Sequence, residues 1–535
     1  MFVVLSASVG GVLLALLITG FAAAFVLRAR YGRDPDPNHV AVLVLGDLAR
    51  SPRTLAHALS LAAHGFTVSL IGYPGAALPP AIAAHPRLRV VTIAATRGIG
   101  TSLGAARPTS APMPRVGVSR QLRTGIRKVV CDTWRLVAAV LTLGDDRRST
   151  TPSCLLVQNP PAVPTLAVAA LLAWILRARV VVDWHNFAYS LLALKLDMPS
   201  LLRAMQFYEQ LAGDQATAHL CVSHAMAEEL EERWGLHGPI TAFHDRPRPA
   251  FIPLPDAEQR AFLEGFAPDL AQRRYAPQPR ITEEVVDAAA NTRTVTYPAS
   301  HDPRAHAPLL LVSSTSWTAD EDFDALLLAM RIYDDEATPP RAEPISRLLE
   351  MVITGRGPLK AHYERLIHAH PWRFIHLRTA WLDDDDYPRL LASADVGISL
   401  HKSSSGLDLP MKIVDLFGAG TPVLAWAYPT LENEMVRAGV NGATFTDADT
   451  LAAHLLRLAQ VGAADHELAT WRRGAREFGA TRWEETWASK VLPVFHDIKA
   501  KAAVETAARA AAAATATAAS SAASVSDRGP DKKEL

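Results

Sequence analysis

Three short segments of this chain concentrate the residue types that bind anions, move protons and grip sugars. The first is Gly46-Asp47-Leu48-Ala49-Arg50-Ser51-Pro52-Arg53, a glycine turn opening onto a helix, with Ser51 and Pro52 as N-cap and first helical residue. A helix N-terminus flanked by two guanidinium groups suits an anion such as a pyrophosphate, so Gly46, Arg50, Ser51 and Arg53 are candidate ligands. An ordinary βα turn with a solvated Asp47 and Arg50 is the competing reading. The second segment is Asp183-Trp184-His185-Asn186, followed by Tyr189. Histidine exchanges a proton near neutral pH and an indole can stack on a sugar, so His185, Trp184 and Tyr189 form a candidate site. The third, His401 to Lys412, is the densest. Its Ser403, Ser404, Ser405 and Gly406 offer hydroxyls and N–H groups at a helix entry, a setting for a diphosphate; a plain serine-rich turn is the alternative. Only ten of the 54 basic residues are lysine, and two of the ten fall in this segment. That scarcity singles out Lys412 as the diphosphate cation, with Asp408 and Asp415 placed for sugar hydroxyls.

The elements around these segments alternate strand and helix. Val40–Leu45 is an apolar, β-branched run of buried-strand length; a helix then buries Leu55, Ala58, Leu59 and Ala62, Gly65 ends it, and Phe66–Ile71 is the next strand. This is a βαβ unit of a parallel sheet. Further strands are expected at Arg89–Ile93, Leu155–Gln158, Val180–Trp184 and His219–Val222. A second set is expected at Leu309–Ser313, Met351–Thr354, Phe374–Leu377, Val396–Leu400 and Pro422–Ala425. Two doubly wound α/β domains follow, and in such sheets ligands bind beyond the carboxyl ends of the strands, here in the interdomain cleft.

Composition narrows the function class. The 535 residues carry 54 Lys+Arg against 54 Asp+Glu, so no global basic field exists to hold a nucleic acid. Three cysteines, Cys131, Cys154 and Cys221, without CxxC spacing suit a reducing compartment and no zinc site. Phe2 to Leu27 holds no charged residue and is long enough for the ~30 Å hydrocarbon core, which reads as a tilted transmembrane anchor. Arg28, Arg30 and Arg33 follow it and place the remainder in the cytosol. The expected division is 1–33 anchor and basic flank, 34–250 first domain, 251–307 connecting segment with a loop near 276–307, 308–480 second domain, 481–498 return helix, and 499–535 a low-complexity tail that leaves its helix early. Asp383–Asp386 resembles a metal-binding DxD, but its position before Tyr387-Pro388 and an apolar helix reads as N-capping. Thr165–Leu176 is apolar yet only a buried helix's length; monotopic membrane contact there, aided by the basic stretch Arg120 to Arg135, is the second reading.

The segments GDLARSPRTLAHALSLAAHGFTVSLIGY, QNPPAVPTL (Gln158–Leu166), VVDWHNFAYSLL (Val181–Leu192), SSTSWTADEDF (Ser313–Phe323), TGRGPL (Thr354–Leu359) and SSSGLDLPMKIVDLFGAGTPV (Ser403–Val423) occur in this order. Over roughly residues 38–497, apart from the loop, they resemble the chitobiosyldiphosphodolichol β-mannosyltransferase family. The resemblance implies a GT-B fold and transfer of the first β-1,4-mannose from GDP-mannose to GlcNAc2-diphosphodolichol, on the cytosolic face of the endoplasmic reticulum membrane. It implies Lys412, Ser403 to Gly406, Ser314, Thr315 and the backbone of Gly355 and Gly357 on the donor, with Asp408 and Asp415 on ribose or mannose hydroxyls. An inverting transfer needs a base from the first domain, with His185 favoured and Asp47 and Asp183 as alternatives. Many retaining GT-B enzymes carry two glutamates eight positions apart; this chain has Asp415 at the second position and only Asp408 near the first. Arg482–Ile498, with Trp483 and Trp487, would cross back to the first domain. No cofactor is implied, and a magnesium requirement stays open. Membrane lipid and other dolichol-pathway mannosyltransferases are the expected partners, and Lys532-Lys533-Glu534-Leu535 matches a dilysine retrieval signal or is an ordinary polar end. Two other functions stay in view: a related GT-B enzyme adding another sugar to a lipid-linked acceptor, and a non-catalytic membrane scaffold.

Overall fold

A computed structural model describes residues 23–93, 131, 133–144, 150–275, 307–318, 321–337, 347–460 and 462–526. The first sheet contains β1 (Asp36–Asp47), β2 (Thr67–Tyr73), β3 (Leu88–Thr92), β4 (Pro152–Asn159), β5 (Arg179–Trp184), β6 (Ala218–Cys221) and β7 (Ile240–Ala242), in the order β3-β2-β1-β4-β5-β6-β7. The second contains β8 (Leu309–Thr315), β9 (Leu349–Gly355), β10 (Ile375–Ala380), β11 (Val396–Ser399), β12 (Val423–Trp426) and β13 (Gly442–Phe445), in the order β10-β9-β8-β11-β12-β13. Every pairing is parallel. Parallel strands need helical crossovers on both faces, which explains the unbroken apolar runs. Leu43, Leu155 and Val182 pack on one face of the first sheet, while Val42, Leu156 and Val181 pack on the other.

Strand order reverses between β1 and β4 and again between β8 and β11, so each sheet has a crevice beyond these strands' carboxyl ends. The three chemically rich segments leave the carboxyl ends of β1, of β5 beside β4, and of β11, at or next to these crevices. The two edge strands β7 (Ile240-Thr241-Ala242) and β13 (Gly442-Ala443-Thr444-Phe445) were not expected; a threonine interrupts each, so neither shows an apolar run.

The chain leaves the first unit after Phe243 and returns through the helices Ala463–Ala480, Trp483–Lys490 and Leu492–Ser526. Trp487, Val491, Phe495 and Ile498 pack with Val42 and Leu156 of the first sheet, so the return crossing is part of its core. Trp487 Nε1 donates to His57 Nδ1 at 2.9 Å and Trp483 Nε1 to Ser60 Oγ at 2.9 Å. Two expectations about this region are corrected. The return helix breaks at Val491, and the tail stays helical to Ser526 rather than ending soon after Lys499. Alanine has the highest helix propensity, and Ala502 is buried while Arg509 Nε reaches Asp34 Oδ1 at 2.8 Å, so the run is both helix-prone and tied down.

The charge-free N-terminal run lies outside the described residues up to position 22; its end is helical from 23 to 31. Among the described residues no helix is long and apolar enough to cross a membrane. Most of the 120–135 basic stretch, the loop at 276–306 and the four C-terminal residues also lie outside them. Asp383 Oδ1 accepts from the N–H groups of Asp385 (3.2 Å) and Asp386 (2.8 Å), the capping role expected of that acidic run. Thr165–Leu176 is one helix with eight buried residues. The cysteines are free; Cys154 and Cys221 are buried and Cys131 is half-buried.

Candidate active site

Asp183, at the carboxyl end of β5, organises the first-domain side. Arg53 Nε donates to Asp183 Oδ2 at 3.0 Å and Nη2 to Oδ1 at 3.0 Å, while Nη1 reaches Asp245 Oδ1 at 2.9 Å and the Phe243 carbonyl at 3.0 Å. His57 Nε2 lies 3.4 Å from Asp183 Oδ2, and His185 Nε2 lies 2.7 Å from that same oxygen. Burial alone would raise the Asp183 carboxyl, but Arg53, then His185 and His57, hold it well below the usual carboxylate range. Burial pushes the His57 imidazole down, so it sits neutral in the core.

Three expected roles are corrected by this cluster. Arg53 is 4% exposed and committed to two carboxylates, so it is not a free ligand for an acceptor diphosphate. Asp183 is equally buried and holds three cationic or imidazole partners, which removes it as a base acting directly on substrate. Trp184 is fully buried, met edge-on by Phe187 and Trp234 and tilted against His219, with its N–H on His219 Nδ1, and offers no sugar platform. The reason is strand alternation: β5 is covered on both faces, so the residue next to Asp183 points into the opposite core.

What stays open toward the cleft is smaller. The His185 side chain is 24% exposed, and among the described residues its Nδ1 has no hydrogen-bond partner. Asp47 accepts from the Ala49 N–H at 3.1 Å, and Arg50 Nε lies 3.5 Å from it with its side chain 67% exposed. Ser51 occupies the N-cap position without a side-chain cap bond and instead donates to the Asp47 carbonyl at 3.2 Å. Gly46 lies just before Asp47 at the end of β1. Tyr189 is half-buried and stacks on Phe187 with ring centroids 5.7 Å apart.

The second-domain side is built around a carboxylate that the sequence reading passed over. Lys412 Nζ forms an ion pair with Glu321, whose side chain is 2% exposed. Glu321 also accepts from Thr315 Oγ1 and from the Ser316 N–H at 3.0 Å, joining the loop after β8 to the helix Met411–Gly418. Only its place in the Ala319-Asp320-Glu321-Asp322 run signalled Glu321, and there Asp322, which caps the next helix, looked the more purposeful residue. Ser314 Oγ accepts from Tyr387 Oη at 2.8 Å. The glycines of TGRGP are dictated by close approach: a Cβ on Gly355 would stand 1.8 Å from the Thr315 carbonyl oxygen, and one on Gly357 1.7 Å from that of Ser316.

The serine loop closes on the first domain. Ser404 Oγ accepts from Asn186 Nδ2 at 3.3 Å and meets Ser190 Oγ at 3.0 Å, while Ser223 Oγ donates to the Leu407 carbonyl at 2.5 Å. Ser405 Oγ accepts from the Leu407 N–H, and Gly406 has φ of +75° with its N–H on Ser403 Oγ. Asp408 is bound to His401 Nε2 at 2.9 Å and to Ser403, so it shapes the loop. Asp415 differs: Oδ2 has only Arg248 Nη2 at 3.4 Å, and Oδ1 is buried without a partner among the described residues. Burial pushes its carboxyl up to about 6. Among the described residues, His224, His244 and Glu434 bring ligand-type atoms within 4.8 Å of one another, but both Glu434 oxygens already accept the His224 and Ala225 N–H groups, an interdomain helix cap.

Residues 329–460 match the family described as Glycosyl transferases group 1. The chain is 36% identical to the chitobiosyldiphosphodolichol beta-mannosyltransferase of Mus musculus, over 85% of this chain and 89% of that protein. It is also 36% identical to the UDP-glycosyltransferase TURAN of Arabidopsis thaliana, over 86% of this chain and 98% of that protein. Among solved structures, sucrose-phosphate synthase from Thermosynechococcus elongatus aligns with a TM-score of 0.57 and 14% identity, over 86% of this chain and 99% of that one, a likeness of fold that fits the two-sheet GT-B architecture. Architecture and sequence agree along nearly the whole length of these relatives, and the chain belongs to the chitobiosyldiphosphodolichol beta-mannosyltransferase family.

Proposed function

We propose that this glycosyltransferase moves mannose from GDP-mannose onto GlcNAc2-diphosphodolichol with inversion, forming the first β-1,4-mannosidic bond of the N-glycan precursor. The observation that carries the mechanism is the His185–Asp183 contact of 2.7 Å. Asp183 accepts a hydrogen bond from Nε2–H and orients the ring, which leaves Nδ1 as the base for the acceptor hydroxyl. As the acceptor hydroxyl gives its proton to Nδ1, its oxygen bonds to the anomeric carbon, and the bond to the donor phosphate breaks with its electrons going to GDP. Lys412, the Ser403–Gly406 loop and the positive end of the Met411–Gly418 helix face the developing diphosphate charge. Ser314, Thr315, Gly355 and Gly357 line the same side, and Asp415 with its free oxygen suits a sugar hydroxyl. On the acceptor side, Arg50 is the exposed cation, beside Asp47. Asp47 stays the alternative base, tied to its own cap and to Arg50.

The setting we infer is the endoplasmic reticulum membrane, with an N-terminal single-pass anchor and a cytosolic catalytic body. The name of the Arabidopsis relative supports a second reading, a UDP-sugar donor. Full-length protein incubated with a GlcNAc2-diphosphate lipid and either GDP-mannose or UDP-sugars separates the two. A β-mannosidase-sensitive trisaccharide from GDP-mannose is expected; product from a UDP-sugar alone would replace the donor, and no product from either would favour a scaffold. EDTA in the same assay decides the magnesium requirement.

A further inference from the structure

We propose that the first domain makes a second, monotopic contact with the lipid surface, through the outward faces of the helices Thr165–Leu176 and Pro199–Gly213 and the turn before the latter. Among the described residues, sixteen large hydrophobic side chains are exposed, and eight of them lie between Leu171 and Leu211. Scattered exposed apolar residues need no explanation, but a contiguous set does. Leu201, Phe207 and Leu211 fall within about a third of the helix circumference at 100° per residue. Phe207 is 65% and Leu211 57% exposed.

This helix cannot roll to hide that arc. Its inner face carries Glu209, fully buried, which accepts from Asn159 Nδ2 at 3.0 Å and from the N–H groups of Ala188 (2.8 Å) and Tyr189 (2.9 Å). Tyr208 Oη meets the Ala167 N–H and the Ala162 carbonyl, so the two helices present one surface.

Two observations commit the occupant to a bilayer. The charge-free N-terminal run ends on this patch: the Phe25 ring lies 5.1 Å from the Trp174 ring, and the Arg28 guanidinium stands 4.4 Å from it. The border carries exposed Arg30, Lys195 and Arg203; of the carboxylates beside it, Asp197 lies on the turn, Asp214 bonds to His237 and Glu505 is paired with Arg179, which leaves an excess of cations that complements anionic headgroups. A second attachment would fix the height and rotation of the cleft above the membrane. The inference rests on the reading that the acceptor is lipid-linked, not on which sugar is transferred.

The test reads depth rather than activity, so its failure is separable from failure of the proposed reaction. Full-length protein carrying Cys131→Ser and a nitroxide at Phe207→Cys is reconstituted in phosphatidylcholine/phosphatidylserine vesicles, with Leu211→Cys as a second site and exposed Arg331→Cys as the water-facing control. Expected at 207 and 211 is frequent collision with lipid-soluble oxygen and rare collision with a water-soluble nickel chelate, a ratio several-fold above that at 331. Nickel access equal to the control would overturn the proposal, as would low access to both reagents, the signature of cover by another part of the chain or by a second copy.

Discussion

Arg53 and Asp183, 130 residues apart in the chain, meet as a buried two-pronged ion pair, each side chain 3% exposed. The pair joins the helix after β1 to the end of β5 across the topological switch of the first sheet, and Asp245 extends it to the interdomain linker. Removing one partner of a buried pair strands the other's charge. Arg53→Ala is therefore expected to cost about 3–5 kcal/mol in chemical denaturation. Arg53→Lys should recover only part, because one ammonium cannot serve two carboxylates in fork geometry. Because the Asp183 carboxyl is held below its unfolded value, its stabilisation is complete above the ordinary carboxylate range and is lost as pH falls through the native value.

His185 is the exposed member of that cluster, and its substitution separates chemistry from folding. His185→Ala should lower kcat by about 10²–10⁴-fold, the range for loss of a general base. Stability should change little, since Asp183 keeps Arg53 and His57. A kcat within a few-fold of the natural enzyme would transfer the role to Asp47.

How much of this was legible in the sequence follows from what sequence patterns encode. Val40–Leu45 reads as a strand because a strand buried on both faces must be apolar at every position; β7 and β13 are short and interrupted by threonine, so they carry no such run. The side-chain types of the site were legible too, since a loop leaving a parallel strand is where ligands bind. Partnership was not. Arg53 beside a helix start looked like an anion ligand because Asp183 and Asp245, which neutralise it, lie 130 and 192 positions away. Trp184 looked like part of a polar cluster because adjacency in sequence conceals that alternate strand residues face opposite sides. Glu321 was hidden in a run of acids whose capping role was the more obvious one.

Lys412 and Glu321 form the corresponding pair on the donor side, and here the cation is partly open while the carboxylate is closed, at 31% and 2% exposure. An arriving diphosphate competes with Glu321 for the ammonium without needing Glu321 to move, because Thr315 and Ser316 hold it. Lys412→Ala should lower kcat/KM by about 10²–10³-fold, the scale for losing one preorganised charge stabiliser. It should also leave Glu321 as a buried, under-satisfied carboxylate, a cost of about 1–3 kcal/mol that denaturation of the ligand-free protein would register. Full activity in Lys412→Ala would move the diphosphate contact to the serine loop alone.

Asp415 makes the opposite prediction, a substitution that strengthens the fold while weakening function. Its native carboxyl is pushed up to about 6 by burial, with Arg248 only partly offsetting this. In a native state with a raised pKa, protons are bound more tightly than in the unfolded chain, so this group favours folding at low pH and loses that contribution as pH rises through the native value. Above pH 7 the ionised side chain costs about 3 kcal/mol, two pKa units at 1.36 kcal/mol each. Asp415→Asn removes that charge while keeping the shape. The variant should be more stable than the natural protein at pH 8 by about 2–3 kcal/mol, with the gap closing toward pH 4, where both side chains are neutral. Donor affinity should fall in the same variant, because an ionised oxygen without a protein partner accepts a ligand hydroxyl better than an amide does. Chemical denaturation at pH 8, 6 and 4.5, paired with the donor KM, checks both halves. A stability gap that does not vary with pH would mean that Asp415 is already satisfied in the empty cleft, leaving no strain for a donor to relieve.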